Sequence, residues 1–107
     1  MKLETRVHVV GVGTIGEPVL RLLLRHRDAF GISRLSFHKR SARRSEVPKL
    51  ASLIKAGAEL AAAPDTAADF RFQGLTPTLS VEEALEGADV ILDCSEDALG
   101  RRSEYSK

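Results

Sequence analysis

The stretch Arg6-Val7-His8-Val9-Val10 runs directly into Gly11-Val12-Gly13-Thr14-Ile15-Gly16, and this junction decides the fold. Its first part is short, apolar and rich in β-branched residues, which predicts a buried parallel strand. Its second part has the spacing G-x-G-x-x-G and is followed by residues with helical periodicity. A strand, a tight glycine turn and a helix in this order predict an α/β domain.

Strands and helices are expected to alternate along the rest of the chain. Strands are predicted over 6–10, 32–38 and 88–94, the last of them buried, and helices over 14–27, 45–57 and 80–86. In the first helix Pro18 falls in the first turn, where proline is tolerated. Its apolar stripe is predicted to be Ile15, Val19, Leu22 and Leu23.

Local signals mark the ends of the other helices. Ser45 is predicted to cap the second helix, with Glu46 in its first turn, and Gly57 to end it. Ser80 and Glu83 have the spacing of a capping box, and Gly87 is expected at the end of that helix.

The segment 58–79 is harder to interpret. Residues 58–63 are compatible with either a strand or a frayed helix. Pro64-Asp65 is typical of a turn, and residues 70–72 and 75–79 of short extended pieces. Residues 98–107 are expected to begin a helix.

This order predicts one domain over 1–107, a doubly wound, Rossmann-like α/β fold with a mainly parallel sheet. Ligands of such sheets lie beyond the carboxyl ends of the strands. That edge is expected to collect three segments: 11–16, 38–40 and 93–95.

The glycines predict a dinucleotide site. In this motif Gly11 makes the tight turn, Gly13 lets a pyrophosphate approach the backbone, and Gly16 lets helix and strand pack closely. The N–H groups at the helix start then receive the phosphates.

The end of the second strand favours NADP over NAD. An acid about 20 residues beyond the glycines usually binds the ribose 2′-hydroxyl of NAD, but residues 36–41 contain neither Asp nor Glu. Lys39 and Arg40 would attract a 2′-phosphate instead. His38 is a candidate contact near the adenosine ribose, or an ordinary polar residue that ends a strand. Ser95 is a candidate cofactor contact in a polar loop at the same edge.

The charge distribution supports an anionic ligand. Residues 21–49 contain nine Lys/Arg and two Asp/Glu, a net charge of +7, whereas residues 50–107 contain five against eleven, a net charge of −6. The basic segment is either a ligand-binding patch or a solvated face. Nucleic-acid binding is not expected, because aromatic residues for base stacking are few and the acidic half would repel phosphates.

Other classes of function lack their signals. His8, His26 and His38 do not have metal-ligand spacing, so no metal site is expected, and His8 is expected to be a core or sheet-face histidine. No apolar stretch is long enough for a membrane span, and the amino end lacks a signal peptide. One cysteine is compatible with a reducing compartment, so a cytoplasmic protein is expected, with homo-oligomerisation left open.

The sequence resembles a known family. The residues that carry the resemblance are Gly11 to Gly16, Phe37 to Arg40, the segment 81–93 and Gly100. Their order is similar to the NAD(P)-binding domain of archaeal-type (type II) glyceraldehyde-3-phosphate dehydrogenases, of which this chain would cover about the first third. The resemblance implies that Gly11, Gly13, Thr14 and Ile15 contact the pyrophosphate, and that 38–40 lies at the adenosine ribose.

The same resemblance implies binding without catalysis. The nucleophile of the family lies in a Ser-Cys-Asn-Thr segment that is absent here, and Cys94, at the end of a strand beside Asp93, is expected to be a small buried hydrophobe. No catalytic residue is therefore predicted, and the parent protein would be an NAD(P)-dependent phosphorylating aldehyde dehydrogenase, an oxidoreductase. The alternatives are a stand-alone nucleotide-binding or regulatory module and an interaction protein with a purely structural glycine loop.

Overall fold

An all-parallel, four-stranded sheet forms the centre of the computed structural model, which describes residues 5–12, 16–39 and 44–94. Its strands are β1 (Thr5–Val10), β2 (Ile32–His38), β3 (Glu59–Ala61) and β4 (Val90–Asp93), in the order β3-β2-β1-β4. The helices are α1 (Gly16–Arg25), α2 (Arg27–Phe30), α3 (Val47–Lys55), α4 (Pro64–Phe72) and α5 (Val81–Gly87). Helices between parallel strands make this a Rossmann-like α/β fold, as predicted.

The two faces of the sheet differ in polarity. Val7 pairs in register with Leu35, and Val9 with Phe37, and these four side chains are buried on one face. Alternate residues of a strand point to opposite faces, so His8 and Ser36 share the other face. The main core is completed by helix and strand residues: Leu20, Leu50, Leu53, Leu60, Ala67 and Phe70.

The core-facing stripe of helix α1 includes the predicted Leu23 but differs from the prediction at Leu22. Leu20 is fully buried and Leu23 and Leu24 pack against the core, whereas Leu22 is 52% exposed. Both stripes have helical spacing, so periodicity alone could not set the rotation of the helix about its axis. The prediction for Leu22 was therefore wrong.

Helix α4 replaces the turn and the first extended piece expected in this region. Pro64 is its first residue, where the missing N–H has no intrahelical partner to lose. The helix continues to Phe72 and buries Phe70 completely, while Phe72 stays exposed. The prediction of extended structure at 70–72 was wrong because the burial of one phenylalanine on a helix face outweighed local β propensity.

The two predicted serine caps differ in outcome. Ser45 lies inside a turn of 3-10 helix, Arg44–Glu46, and α3 begins only at Val47 without a side-chain cap, so Ser45 was wrongly assigned. The Ser80 cap is confirmed: its Oγ accepts from the Glu83 N–H at 3.0 Å, and the Glu83 carboxylate accepts from the Ser80 N–H at 2.9 Å.

Residues 58–63, whose sequence is compatible with a strand or a frayed helix, contain strand β3. The outer edge of β3 is covered by a neighbouring segment. β3 pairs with β2, and beyond it the N–H of Thr78 donates to the Leu60 carbonyl at 2.9 Å. The carbonyl of Leu79 accepts from Ala62 at 3.0 Å, so the end of the predicted extended piece 75–79 lies along the sheet.

Strand β4 lies beside β1 and is less buried than predicted. Val90 is exposed and the next three residues are half-buried. Its entry is held by Asp89, which accepts from the Arg6 N–H at 2.8 Å and donates its own N–H to the Arg6 carbonyl at 2.7 Å. The helix expected at 98–107 lies outside the described residues.

Candidate functional site

The carboxyl ends of three strands meet at one edge of the sheet, here called the ligand edge. Gly11 follows β1, Lys39 follows β2 and Cys94 follows β4. The N–H of Gly11 donates to the His38 carbonyl at 3.0 Å, and that of Cys94 to the Val10 carbonyl at 2.8 Å. The chain leaves β1 towards β2 and β3 and returns to the other side of β1 for β4. Such a reversal opens a crevice between β1 and β4, where ligands of α/β sheets bind.

Two glycines of the motif are required by the backbone. Gly11 has φ 85°, a conformation that side chains other than glycine rarely adopt. A Cβ on Gly16 would lie 2.1 Å from the Gly11 carbonyl oxygen and 3.4 Å from the Cys94 Cβ. The start of α1 therefore lies directly against the turn after β1. Gly13, Thr14 and Ile15 lie outside the described residues.

A cluster of three charged residues, the Lys39–Glu46–Lys49 cluster, joins the end of β2 to the glycine turn. Lys39 and Lys49 both donate to Oε2 of Glu46, the second at 3.3 Å. The Lys49 ammonium also donates to the Val12 carbonyl at 2.9 Å. Lys39 is thus at the predicted edge, but its charge is shared with a carboxylate that the sequence did not identify as part of the site.

The environment of Glu46 is unusual for a carboxylate. Burial raises its pKa, but the hydrogen bonds and charges of Lys39 and Lys49 outweigh burial, and the net pKa is below the usual range. Its Oε1 is buried and has no hydrogen-bond partner among the described residues. Within the part of the chain that the structure describes, the carboxylate is therefore held through Oε2, by Lys39 and Lys49.

A second polar cluster lies within the sheet. Nδ1 of His8 is hydrogen-bonded to Ser36 Oγ, and its Nε2 to Nδ1 of His38, both at 2.7 Å. The two rings are nearly parallel, at 14°. His8 is fully buried, which confirms its expected place in the core. His38, a predicted cofactor contact, is also buried and is the last residue of β2, at the ligand edge.

Burial, together with the charge of His38, lowers the pKa of His8 to about 3. At neutral pH the His8 ring is therefore neutral. One ring of the pair donates in the shared hydrogen bond and the other accepts, which fixes the plane of His38.

No protein-family model matches the chain, and no curated protein matches it.

Much of the basic charge of segment 21–49 serves local structure. The Arg27 guanidinium donates to the carbonyls of Ile32 at 3.1 Å and Ser33 at 2.7 Å, near the amino end of β2 and away from the ligand edge. Arg34 pairs with Glu59 at 2.7 Å. Of the predicted basic patch, Lys39 and Lys49 are the described residues with contacts at the ligand edge.

Of the remaining residues singled out in the sequence, the structure describes Cys94. Cys94 is half-buried and packs against the core, and burial together with Asp93 raises the pKa of its thiol. The thiolate needed for nucleophilic attack is therefore disfavoured. Arg40 and Ser95 lie outside the described residues.

Neither a metal-binding cluster nor a membrane-spanning helix occurs among the described residues. Within 5–12, 16–39 and 44–94, no group of three or more His, Cys, Asp or Glu side chains could hold a metal ion. The same part of the chain contains no helix long and apolar enough to span a membrane.

Proposed function

We propose that this domain binds a dinucleotide, NADP or NAD, at the ligand edge, as the cofactor-binding domain of an oxidoreductase similar to type II glyceraldehyde-3-phosphate dehydrogenases. The observation that carries the proposal is the contact between Gly16 and Gly11. A Cβ on Gly16 would clash with the Gly11 carbonyl, so the start of α1 packs directly against the turn after β1. This is the arrangement that a glycine-rich pyrophosphate loop requires.

The residues fit such a ligand in distinct roles. The turn from Gly11 to Gly16 and the first N–H groups of α1 would hold the pyrophosphate, with Thr14 and Ile15 in contact. His38, Lys39 and Arg40 would lie at the adenosine ribose, and Ser95 at the crevice beside β4. The bound nicotinamide would supply hydride transfer. The chain's own residues would bind and orient the cofactor. Cys94 would not act as a nucleophile, because it is half-buried and the pKa of its thiol is raised.

Calorimetric titration of the chain with NADPH, NADH and ADP tests the proposal. Replacing Gly13 by valine is expected to abolish binding of all three while the circular dichroism spectrum stays unchanged, because a side chain there would occupy the space of the phosphates. Gly87→Val is the matched control, since a Cβ at Gly87 meets no atom nearer than Arg6 Nη1 at 3.8 Å. Full affinity in a folded Gly13→Val variant would refute the pyrophosphate assignment.

Cofactor choice gives a second prediction. Replacing Lys39 and Arg40 together by alanine should weaken NADPH by about tenfold or more and leave NADH nearly unchanged, because charge-assisted contacts to the 2′-phosphate are lost. Titration of both cofactors measures the ratio. The control is Arg44→Ala with Lys55→Ala, two exposed residues that carry the same charge. Equal weakening of both cofactors would show a general effect of charge.

A further inference from the structure

The Lys39–Glu46–Lys49 cluster holds a carboxylate where an anionic ligand group would be expected. Lys39 follows β2 directly, and Lys49 contacts the carbonyl of Val12 in the glycine turn, so the cluster bridges two segments of the ligand edge. On the proposed function, from which this inference follows, the 2′ position of the adenosine ribose lies beside the end of β2. A carboxylate and a phosphate present the same kind of anionic oxygen to a lysine.

Only one of the two carboxylate oxygens of Glu46 accepts hydrogen bonds in the cluster. Both lysines donate to one of its oxygens, Oε2, while Oε1 is buried and meets no hydrogen-bonding group of residues 5–12, 16–39 and 44–94. The three side chains are largely shielded from water, with exposed fractions of 14% for Lys39, 20% for Glu46 and 24% for Lys49. Release of the carboxylate to solvent would hydrate both of its oxygens and recover part of its desolvation cost.

We propose that Glu46 is a specificity-determining residue that competes with the 2′-phosphate of NADP for Lys39, and so lowers the preference of the domain for NADP over NAD. With Glu46 in place the cluster has a net charge of +1, and after its displacement the two lysines present +2 to the phosphate. The 2′-hydroxyl of NAD is neutral and cannot replace Glu46 on the lysines. NAD therefore binds with the cluster intact.

The decisive variant is Glu46→Gln, which keeps the size of the side chain and removes its charge. Calorimetric titration with 2′,5′-ADP and with 5′-ADP isolates the phosphate in question. We expect 2′,5′-ADP to bind about tenfold more tightly to this variant than to the parent chain, and 5′-ADP to change by less than about twofold. Glu59→Gln is the matched control, since it breaks an ion pair with Arg34 elsewhere on the sheet and should leave the ratio unchanged.

Either of two other results would overturn the inference. An unchanged ratio would mean that Glu46 does not meet the phosphate. A ratio shifted against 2′,5′-ADP would mean that Glu46 orients the lysines for the phosphate. If neither ligand binds the parent chain, the proposed function fails and this inference fails with it. If both bind and the ratio does not move, the inference alone fails.

A measurement on the parent chain covers the case in which Glu46→Gln does not fold. Carboxyl ¹³C NMR follows the titration of Glu46 directly. Saturation with 2′,5′-ADP should raise the Glu46 pKa towards its ordinary value, because the lysine contacts that lower it are lost. Saturation with 5′-ADP should leave the pKa low. A pKa that stays low with both ligands would contradict displacement.

Discussion

Replacing Gly16 by alanine is expected to destabilise the domain by about 3 kcal/mol or more and to abolish dinucleotide binding. The added Cβ would lie 2.1 Å from the Gly11 carbonyl oxygen, a backbone atom that cannot rotate away. Helix α1 would have to move away from the end of β1, which separates the glycine turn from the helix start. Thermal unfolding should show a melting temperature lower by about 10 °C or more.

Gly87→Ala is the control for this substitution. Gly87 is the last residue of α5, and a Cβ there would meet only the far end of the Arg6 side chain at 3.8 Å. Its melting temperature should stay within a few degrees of the parent. A Gly16→Ala variant that melts with the parent and binds NADPH equally well would show that α1 does not need its close approach to the glycine turn.

Acid is expected to destabilise the protein well before its carboxylates titrate. His8 has a pKa of about 3 in the folded chain and an ordinary value of 6.5, so the unfolded chain binds the proton more readily. The contribution of His8 to stability is therefore fully present above pH 6.5 and is lost as the pH drops towards 3. The loss from pH 7 to 5 is about 2 kcal/mol, and the loss from pH 7 to 3 is about 4 kcal/mol. Urea unfolding at a series of pH values measures it.

Between pH 7 and 5 the contribution of His8 to the pH dependence of stability can be measured apart from that of the acidic residues. Glu46, whose pKa is lowered by its lysines, adds to the acid effect only below this interval. A His8→Gln variant should have a smaller slope than the parent from pH 7 to 5, whereas His26→Gln, at an exposed position, should keep the slope of the parent. A parent protein with no slope in this interval would mean that the folded state accommodates a charged His8.

The parts of the fold that the sequence predicted depend on neighbouring residues. The junction at Gly11 combines a β-branched run, a glycine turn and a helix within a dozen positions, and Ser80 and Glu83 form their cap within one helical turn. Pro64 was misleading because proline before aspartate suits a turn and a helix start equally well. Only the burial of Phe70 decides between them, and burial is a property of the assembled core.

Less of the candidate site than of the fold could be predicted from the sequence. The place of the glycine motif and of Lys39 at the ligand edge could be predicted from their spacing. Glu46 could not be placed, because its contact with Lys39 depends on the path of the chain between β2 and α3. The hydrogen bond between His8 and His38 joins residues 30 positions apart. It requires the register of β1 against β2, which no local pattern specifies.

The position of β4 has a consequence for biosynthesis. β1 is an interior strand of the finished sheet, but its contact with Asp89 spans 83 positions of the chain. A ribosome makes the chain from its amino end, so β1 has an open edge until residues 90–93 emerge. An apolar edge with unpaired N–H and C=O groups is a template for other nascent chains. The arrival of β4 therefore ends the period in which the newly made domain is most prone to aggregate.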